Sequence, residues 1–138
     1  MLNLQKKEVF VMKKWWFAGL FTFIIFLFSV SLSIAGDYKL IEGKELETMV
    51  ADGKPIVIVD VREPYEFAEG HIKGAINIPY ESAKKRALKE LSPNDRIVFV
   101  CHGGPMGDEL GGLLVKNDYK DVYNLKGGMK KWKGAVVK

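Results

Sequence analysis

Hydrophobic and polar positions divide this chain into two unequal parts. Between Lys14 and Asp37 runs an unbroken stretch of 22 uncharged residues, dense in Trp, Phe, Ile and Leu. From Tyr38 onward, short apolar runs alternate with amphipathic stretches. Tyr38 to Ile41 predicts a short edge strand. Lys44 to Ala51 predicts a helix with Leu46, Met49 and Val50 on one face. Asp52-Gly53-Lys54-Pro55 breaks that helix. The β-branched run Ile56 to Val59 then reads as a strand buried on both faces.

Pro64 opens a short helix through Ala68, where its missing N–H costs no helical hydrogen bond. Ala75 to Ile78 is a short strand stopped by Pro79. Ser82 to Leu91 is a helix with Ala83, Ala87 and Leu91 on its apolar side. Ile97 to Val100 is a second fully apolar strand. Pro105 to Lys116 is a helix with Met106, Leu110, Leu113 and Leu114 at helical spacing, weakened by Gly111-Gly112. Val122 to Leu125 is the last strand, and Met129 to Trp132 a closing helical turn. Strands alternating with helices, two of them wholly apolar, imply an α/β domain with a mainly parallel central sheet and helices on both faces. In such sheets ligands sit beyond the carboxyl ends of the strands.

The first part of the chain reads as an address. Lys13 and Lys14 precede the apolar stretch, and Ser33-Ile34-Ala35 closes it with small residues. That is the layout of a secretory signal peptide over residues 1–35, cleaved after Ala35. Translation from Met12 would give a signal of 24 residues, the more usual length. The alternative is an uncleaved membrane anchor, since such a helix spans roughly 33 Å. Ser29, Ser31 and Ser33 thin the last third and favour cleavage. Both readings export residues 36–138, because the lysines stay in the cytoplasm. In a Gram-negative bacterium the domain is then periplasmic, and it touches the membrane only through an uncleaved segment.

Charge sharpens this division. Of the formal net charge of +4, little belongs to the folded part: from Gly36 onward, 17 Lys+Arg face 16 Asp+Glu. A nucleic-acid partner, which needs basic residues gathered on a folded face, is therefore not expected. Oligomeric state leaves no signal in the pattern.

Cys101 is the single cysteine, so no intramolecular disulfide forms. It is either a small buried hydrophobe or a thiol kept for its chemistry. Its place favours chemistry, because it follows the apolar strand and precedes a helix. The segment Cys101-His102-Gly103-Gly104-Pro105-Met106-Gly107-Asp108 is a glycine-rich turn. Such a turn curls inward-facing N–H groups into an anion nest at a helix N-terminus. A thiolate there is stabilised by those donors and becomes a nucleophile toward sulfur. Three features oppose this. Pro105 lacks an N–H, Asp108 and Glu109 bring negative charge, and no Arg or Lys follows until Lys116. His102 supplies positive charge only when protonated.

Three segments in one order resemble the rhodanese-homology (sulfurtransferase) family. The first is Asp60-Val61-Arg62-Glu63-Pro64-Tyr65-Glu66-Phe67 followed by Gly70-His71-Ile72-Lys73-Gly74-Ala75-Ile76-Asn77-Ile78-Pro79. The second is Val98-Phe99-Val100-Cys101. The third is Asn124-Leu125-Lys126-Gly127-Gly128-Met129-Lys130-Lys131-Trp132. Together they cover nearly all of residues 38–135. The resemblance implies a cysteine that accepts sulfane sulfur from a donor such as thiosulfate and passes the persulfide sulfur to a thiol or cyanide. It implies no metal or organic cofactor. Cys101 carries over as the nucleophile. The amides of His102, Gly103, Gly104, Met106 and Gly107 carry over as the persulfide cradle. Members active on thiosulfate commonly carry arginine five residues after the cysteine; here that residue is Met106, while the glycine three after it is kept as Gly104. A non-catalytic binding module or sulfur carrier is therefore the second reading. The cell-cycle dual-specificity phosphatases share the fold, but they need a loop closed by arginine, where Met106 and Gly107 stand.

The remaining candidates read as architecture. Asp60 and Arg62 end a buried strand, and Arg62 is expected to pair with Glu66 or Glu69 and fix the Gly70-His71 turn. His71 is expected to bond backbone in that turn. Two histidines and one cysteine without close spacing make a zinc site unexpected. Met129 and Trp132 are expected to pack onto the core. Gly127-Gly128 is expected to permit a tight turn.

Overall fold

The computed structural model describes residues 37–138. The signal-peptide reading and its membrane-anchor alternative fall on residues outside these. Among the described residues, no helix is long and apolar enough to cross a membrane.

Five strands form one all-parallel sheet: β1 (Lys39–Ile41), β2 (Val57–Asp60), β3 (Ile76–Asn77), β4 (Arg96–Val100) and β5 (Asp121–Leu125). Their spatial order is β1-β5-β4-β2-β3. The helices are α1 (Gly43–Ala51), α2 (Pro64–Glu69), α3 (Tyr80–Glu90), α4 (Pro105–Val115) and α5 (Gly128–Lys131). Because side chains alternate along a strand, β4 serves two cores. Ile97 and Phe99 pack with Val59, Val122 and the inner faces of α3 and α4, represented by Ala83, Ala87, Leu110 and Leu114. Val98 and Val100 pack on the other side with Ile58, Leu125 and the α1 residues Leu46 and Met49. Helices on both faces of a parallel sheet are the architecture read from the sequence.

Three details differ from that reading. Val50 points to solvent at 44% exposure, leaving Leu46 and Met49 as the buried stripe of α1. β3 shrinks to two residues. α3 begins at Tyr80, ahead of Ser82, because Pro79 acts as the N-cap and its carbonyl accepts the Ser82 and Ala83 amides, both at 2.8 Å.

Polar side chains anchor the amino end of the sheet. The Arg96 guanidinium donates to both Asp52 oxygens, at 2.7 and 2.9 Å, and to the Met49 carbonyl at 2.9 Å. This ties the end of α1 to the start of β4. That hydrogen bond is the main reason the Asp52 carboxyl is held down at about 2. The Tyr119 hydroxyl donates to the Leu91 carbonyl at 2.7 Å. The Tyr123 phenol, bonded to Asp121 at 2.7 Å, is pushed up to about 12, with burial adding to the effect. Across the molecule, Val137 pairs antiparallel with His71 through two 2.9 Å backbone bonds.

Candidate active site at the carboxyl end of the fourth strand

Cys101 directly follows β4 and is fully buried, its side chain belonging to the core on the α3 and α4 side. The chain turns over it through His102, Gly103 and Gly104 before α4 begins at Pro105. Gly104 adopts φ +124°, a region that a side chain disfavours. In this conformation its N–H donates to the Cys101 sulfur at 2.8 Å. Its carbonyl accepts from the Gly107 amide at 3.0 Å, the Asp108 amide at 3.2 Å and Asn124 Nδ2 at 2.9 Å. Gly104 is thus held at both its amide and its carbonyl.

The cradle around the thiol is narrower than the expected set of amides. α4 starts at Pro105, so the Gly107 N–H closes the first helical turn and is not directed at the sulfur. The amides of His102, Gly103 and Met106 have no acceptor among the described residues.

Behind the loop, α5 supplies two further donors. The Met129 amide reaches the Cys101 carbonyl at 2.8 Å, and the Lys130 amide reaches the His102 carbonyl at 3.0 Å. The approach is close enough that a Cβ on Gly128 would lie 2.1 Å from the Cys101 oxygen. Gly127 and Gly128, at φ +76° and +54°, make the turn that brings these amides there. This is the tight turn expected of the pair.

Asn124 enters from β5 and is fully buried. Besides the Gly104 carbonyl, its Nδ2 donates to Asp108 Oδ1 at 2.8 Å, while its Oδ1 has no partner. A side chain on Gly107 would collide with it, since a Cβ there would lie 2.0 Å from Oδ1. Asp108 therefore faces the sheet, where burial and this carboxylate together raise the Tyr38 phenol above its ordinary value. Sequence reasoning missed Asn124 as a site residue. The available signal was an amide inside an otherwise apolar strand, a residue type depleted in strands.

The other predicted residues separate into a rim and a frame. His102 is exposed, with Nδ1 3.5 Å from Glu66 Oε1 across the mouth of the loop. The second Glu66 oxygen accepts the Glu63 amide at 3.3 Å, capping α2. Arg62 pairs with Asp60, not with Glu66 or Glu69: its Nη2 lies 2.6 Å from Asp60 Oδ2, and its Nε is shared between both carboxylate oxygens. Two residues apart at the end of β2, the two groups meet with almost no solvent between them, whereas the glutamates on α2 keep their water. The expected tie to the turn is present, because Arg62 Nη2 also donates to the Gly70 carbonyl at 2.8 Å. Asn77 closes this frame by donating to the Asp60 and Arg62 carbonyls, each at 2.9 Å. His71 Nδ1 lies 2.9 Å from the Phe67 carbonyl, which requires the proton on that nitrogen, and its ring stacks on Phe67. Met106 is half-buried against the core with Leu113. Among the described residues, no three His, Cys, Asp or Glu side chains converge as a metal site.

Comparison with known proteins places this geometry in a class. The family described as Rhodanese-like domain matches residues 42–135, and the chain belongs to it. The Bacillus subtilis protein YqhL, which carries no assigned role in its name, is 32% identical over 117 residues, covering 85% of this chain and 92% of that one. YrkF of Bacillus subtilis, proposed in its name to be a sulfur carrier, is 39% identical over 79 residues; the match takes in 57% of this chain and 42% of YrkF. Among solved structures, a rhodanese-like domain protein from Staphylococcus aureus superposes with a TM-score of 0.62 at 33% identity, covering 68% of this chain and 90% of that one.

Proposed function

We propose that this domain is a sulfurtransferase in which Cys101 accepts a sulfane sulfur and hands it to a thiol or cyanide. The observation that carries this reading is the Gly104 amide seated on the Cys101 sulfur at 2.8 Å, in a turn whose carbonyls are held from behind by α5. A backbone donor aimed at sulfur can bond the thiolate, which is the attacking form, and the sulfur it takes up. With thiosulfate, the thiolate attacks the outer sulfur, a Cys101 S–S bond forms, the S–S bond of the donor breaks, and sulfite leaves with the electron pair. With a persulfide donor the leaving group is a thiolate. In the second step an acceptor thiolate or cyanide attacks the outer sulfur and Cys101 returns as thiolate. The reaction is redox-neutral at each step and draws on no cofactor.

The buried sulfur defines what the loop must do. A donor reaches the buried Cys101 only when the loop over it opens, and the amides of His102, Gly103 and Met106, which have no acceptor among the described residues, are available to bond the transferred sulfur. No Arg or Lys lies between Cys101 and Lys116 to hold a dianion. A persulfide or polysulfide therefore suits this loop better than thiosulfate. The same feature supports the second reading, a sulfur-carrier module, and YrkF is the similar protein whose name points that way. We place the domain outside the cytoplasmic membrane, on the strength of the Lys13–Ala35 pattern.

The test is intact mass after incubation with polysulfide and, separately, thiosulfate. Wild-type protein gains one sulfur atom, more readily from polysulfide, and Cys101→Ser gains none. Sulfur added equally to Cys101→Ser would overturn the assignment. In the same spectrum, exported protein beginning at Gly36 marks cleavage, and retention of the first 35 residues marks an anchor.

A further inference from the structure

Asp60, Arg62 and Asn124 are the buried polar residues of the described domain. The first two satisfy each other, whereas Asn124 is only half satisfied. Its amide orientation is dictated by its neighbours: the Gly104 carbonyl and the Asp108 carboxylate both accept, so the NH2 end must face them. That leaves Oδ1 buried with no partner, an arrangement that native proteins rarely keep without a reason. A β-branched residue would suit the strand better. What the asparagine brings is control of the loop. It joins the Gly107 and Asp108 amides on the carbonyl of Gly104, the residue whose N–H sits on the sulfur. It also fastens the Asp108 carboxylate to β5, fixing where that negative charge sits in the first turn of α4.

We infer that Asn124 is a positioning residue for the Cys101 nucleophile: by fixing the Gly104 carbonyl and the Asp108 carboxylate, it holds the Gly104 amide on the sulfur without touching the sulfur itself. Gly107 belongs to the same device, since the space a side chain would need there is taken by the asparagine oxygen. The inference rests on the proposed function only in treating Cys101 as the reacting atom.

Alkylation of Cys101 by iodoacetamide across pH reads the thiol each time the loop over it opens, so the pH midpoint, not the absolute rate, is the readout. In the full-length Asn124→Ala and Asn124→Asp variants, the midpoint of the alkylation profile moves to higher pH. The midpoint rises by about one pH unit, as loss of a hydrogen bond to a charged acceptor implies. Asn124→Asp has nearly the same shape as the original and keeps the test open if the alanine variant does not fold. Tyr119→Phe is the control for a purely structural role. It loses a buried hydrogen bond to Leu91 at the other end of the sheet, so it lowers the melting temperature and leaves the midpoint in place. An unchanged midpoint in both Asn124 variants overturns the inference, as does an equal shift in Tyr119→Phe. Wild-type protein that shows the Asn124-dependent midpoint but takes up no sulfur upholds the positioning role and defeats the proposed function. Sulfur uptake with an insensitive midpoint does the reverse.

Discussion

The two ends of the sheet are held by different chemistry. At the amino end, side chains clasp one another across elements: Arg96 grips Asp52 and the Met49 carbonyl, and Tyr119 reaches Leu91. At the carboxyl end the Asp60–Arg62 pair frames the end of β2, but the Cys101 loop itself is held by backbone amides and the neutral Asn124 amide, and glycines stand where side chains would collide. Side-chain ion pairs are flexible and titrate. Backbone donors neither titrate nor add bulk, and they approach sulfur and carbonyl oxygen closely. The first end is built to stay closed, while the second sets a neutral backbone donor, the Gly104 amide, on its nucleophile.

The largest effect that separates the two ends comes from adding one methyl group. Gly128→Ala forces a Cβ against the Cys101 carbonyl and the His102 backbone, at a residue with φ +54°. Overpacking and left-handed strain together cost about 2–4 kcal/mol and displace the loop. Gly53→Ala carries the same left-handed strain, at φ +73°, but meets nothing within 4 Å. It should lose about 1–2 kcal/mol and keep full sulfur uptake. Urea unfolding with the persulfide mass assay checks both variants. Equal losses of uptake would mean that the crowded turn behind Cys101 has no special role.

A gain of function is the next largest change. Met106 is half-buried in the first turn of α4, two residues past Gly104. Met106→Arg places a cation at the start of α4, in a segment that has none between Cys101 and Lys116. Charge-assisted binding of a dianion should raise thiosulfate turnover by about tenfold or more, with little change in polysulfide uptake. Sulfite release against thiosulfate concentration measures it. Equal gains with both donors would show that general loosening of α4, not the added charge, is responsible.

The sequence carried the carboxyl end's chemistry better than its geometry. Ile56 to Val59 and Ile97 to Val100 announced buried parallel strands, because continuous apolar runs have few other homes. The position of Cys101 after such a strand followed from the run alone. The three family signatures spaced along residues 60–132 supplied the fold. What stayed hidden was which polar group meets which. Arg62 has Glu66 and Glu69 within reach on α2, and its choice of Asp60 depends on a guanidinium folding back along β2, where water is excluded. The Gly107 amide was expected in the cradle, but helix α4 begins early enough to claim it. Asn124 lies 23 positions beyond Cys101, and only the β4–β5 pairing brings it under the loop. Local pattern fixes elements, whereas a hydrogen-bond partner across strands is a tertiary fact.

The smallest effect tests the amino end on its own. Arg96 lowers the Asp52 carboxyl from 3.8 to about 2 in the folded chain. A depressed carboxyl contributes stability that is fully present above its unfolded value and is lost as pH falls through the folded one. The window for this clasp therefore runs from about pH 4 down to about pH 2. Asp52 is solvent-accessible, so screening keeps the contribution modest. Asp52→Asn should be less stable than wild type at neutral pH, and the difference should close as pH falls through that window. Urea midpoints measured at successive pH values give the curve. Through all of it the neutral-pH alkylation profile of Cys101 should not differ between the two proteins, because no titrating group of this clasp bonds to the loop. A shift in that profile on mutating Asp52 would show that the two ends of the sheet are coupled.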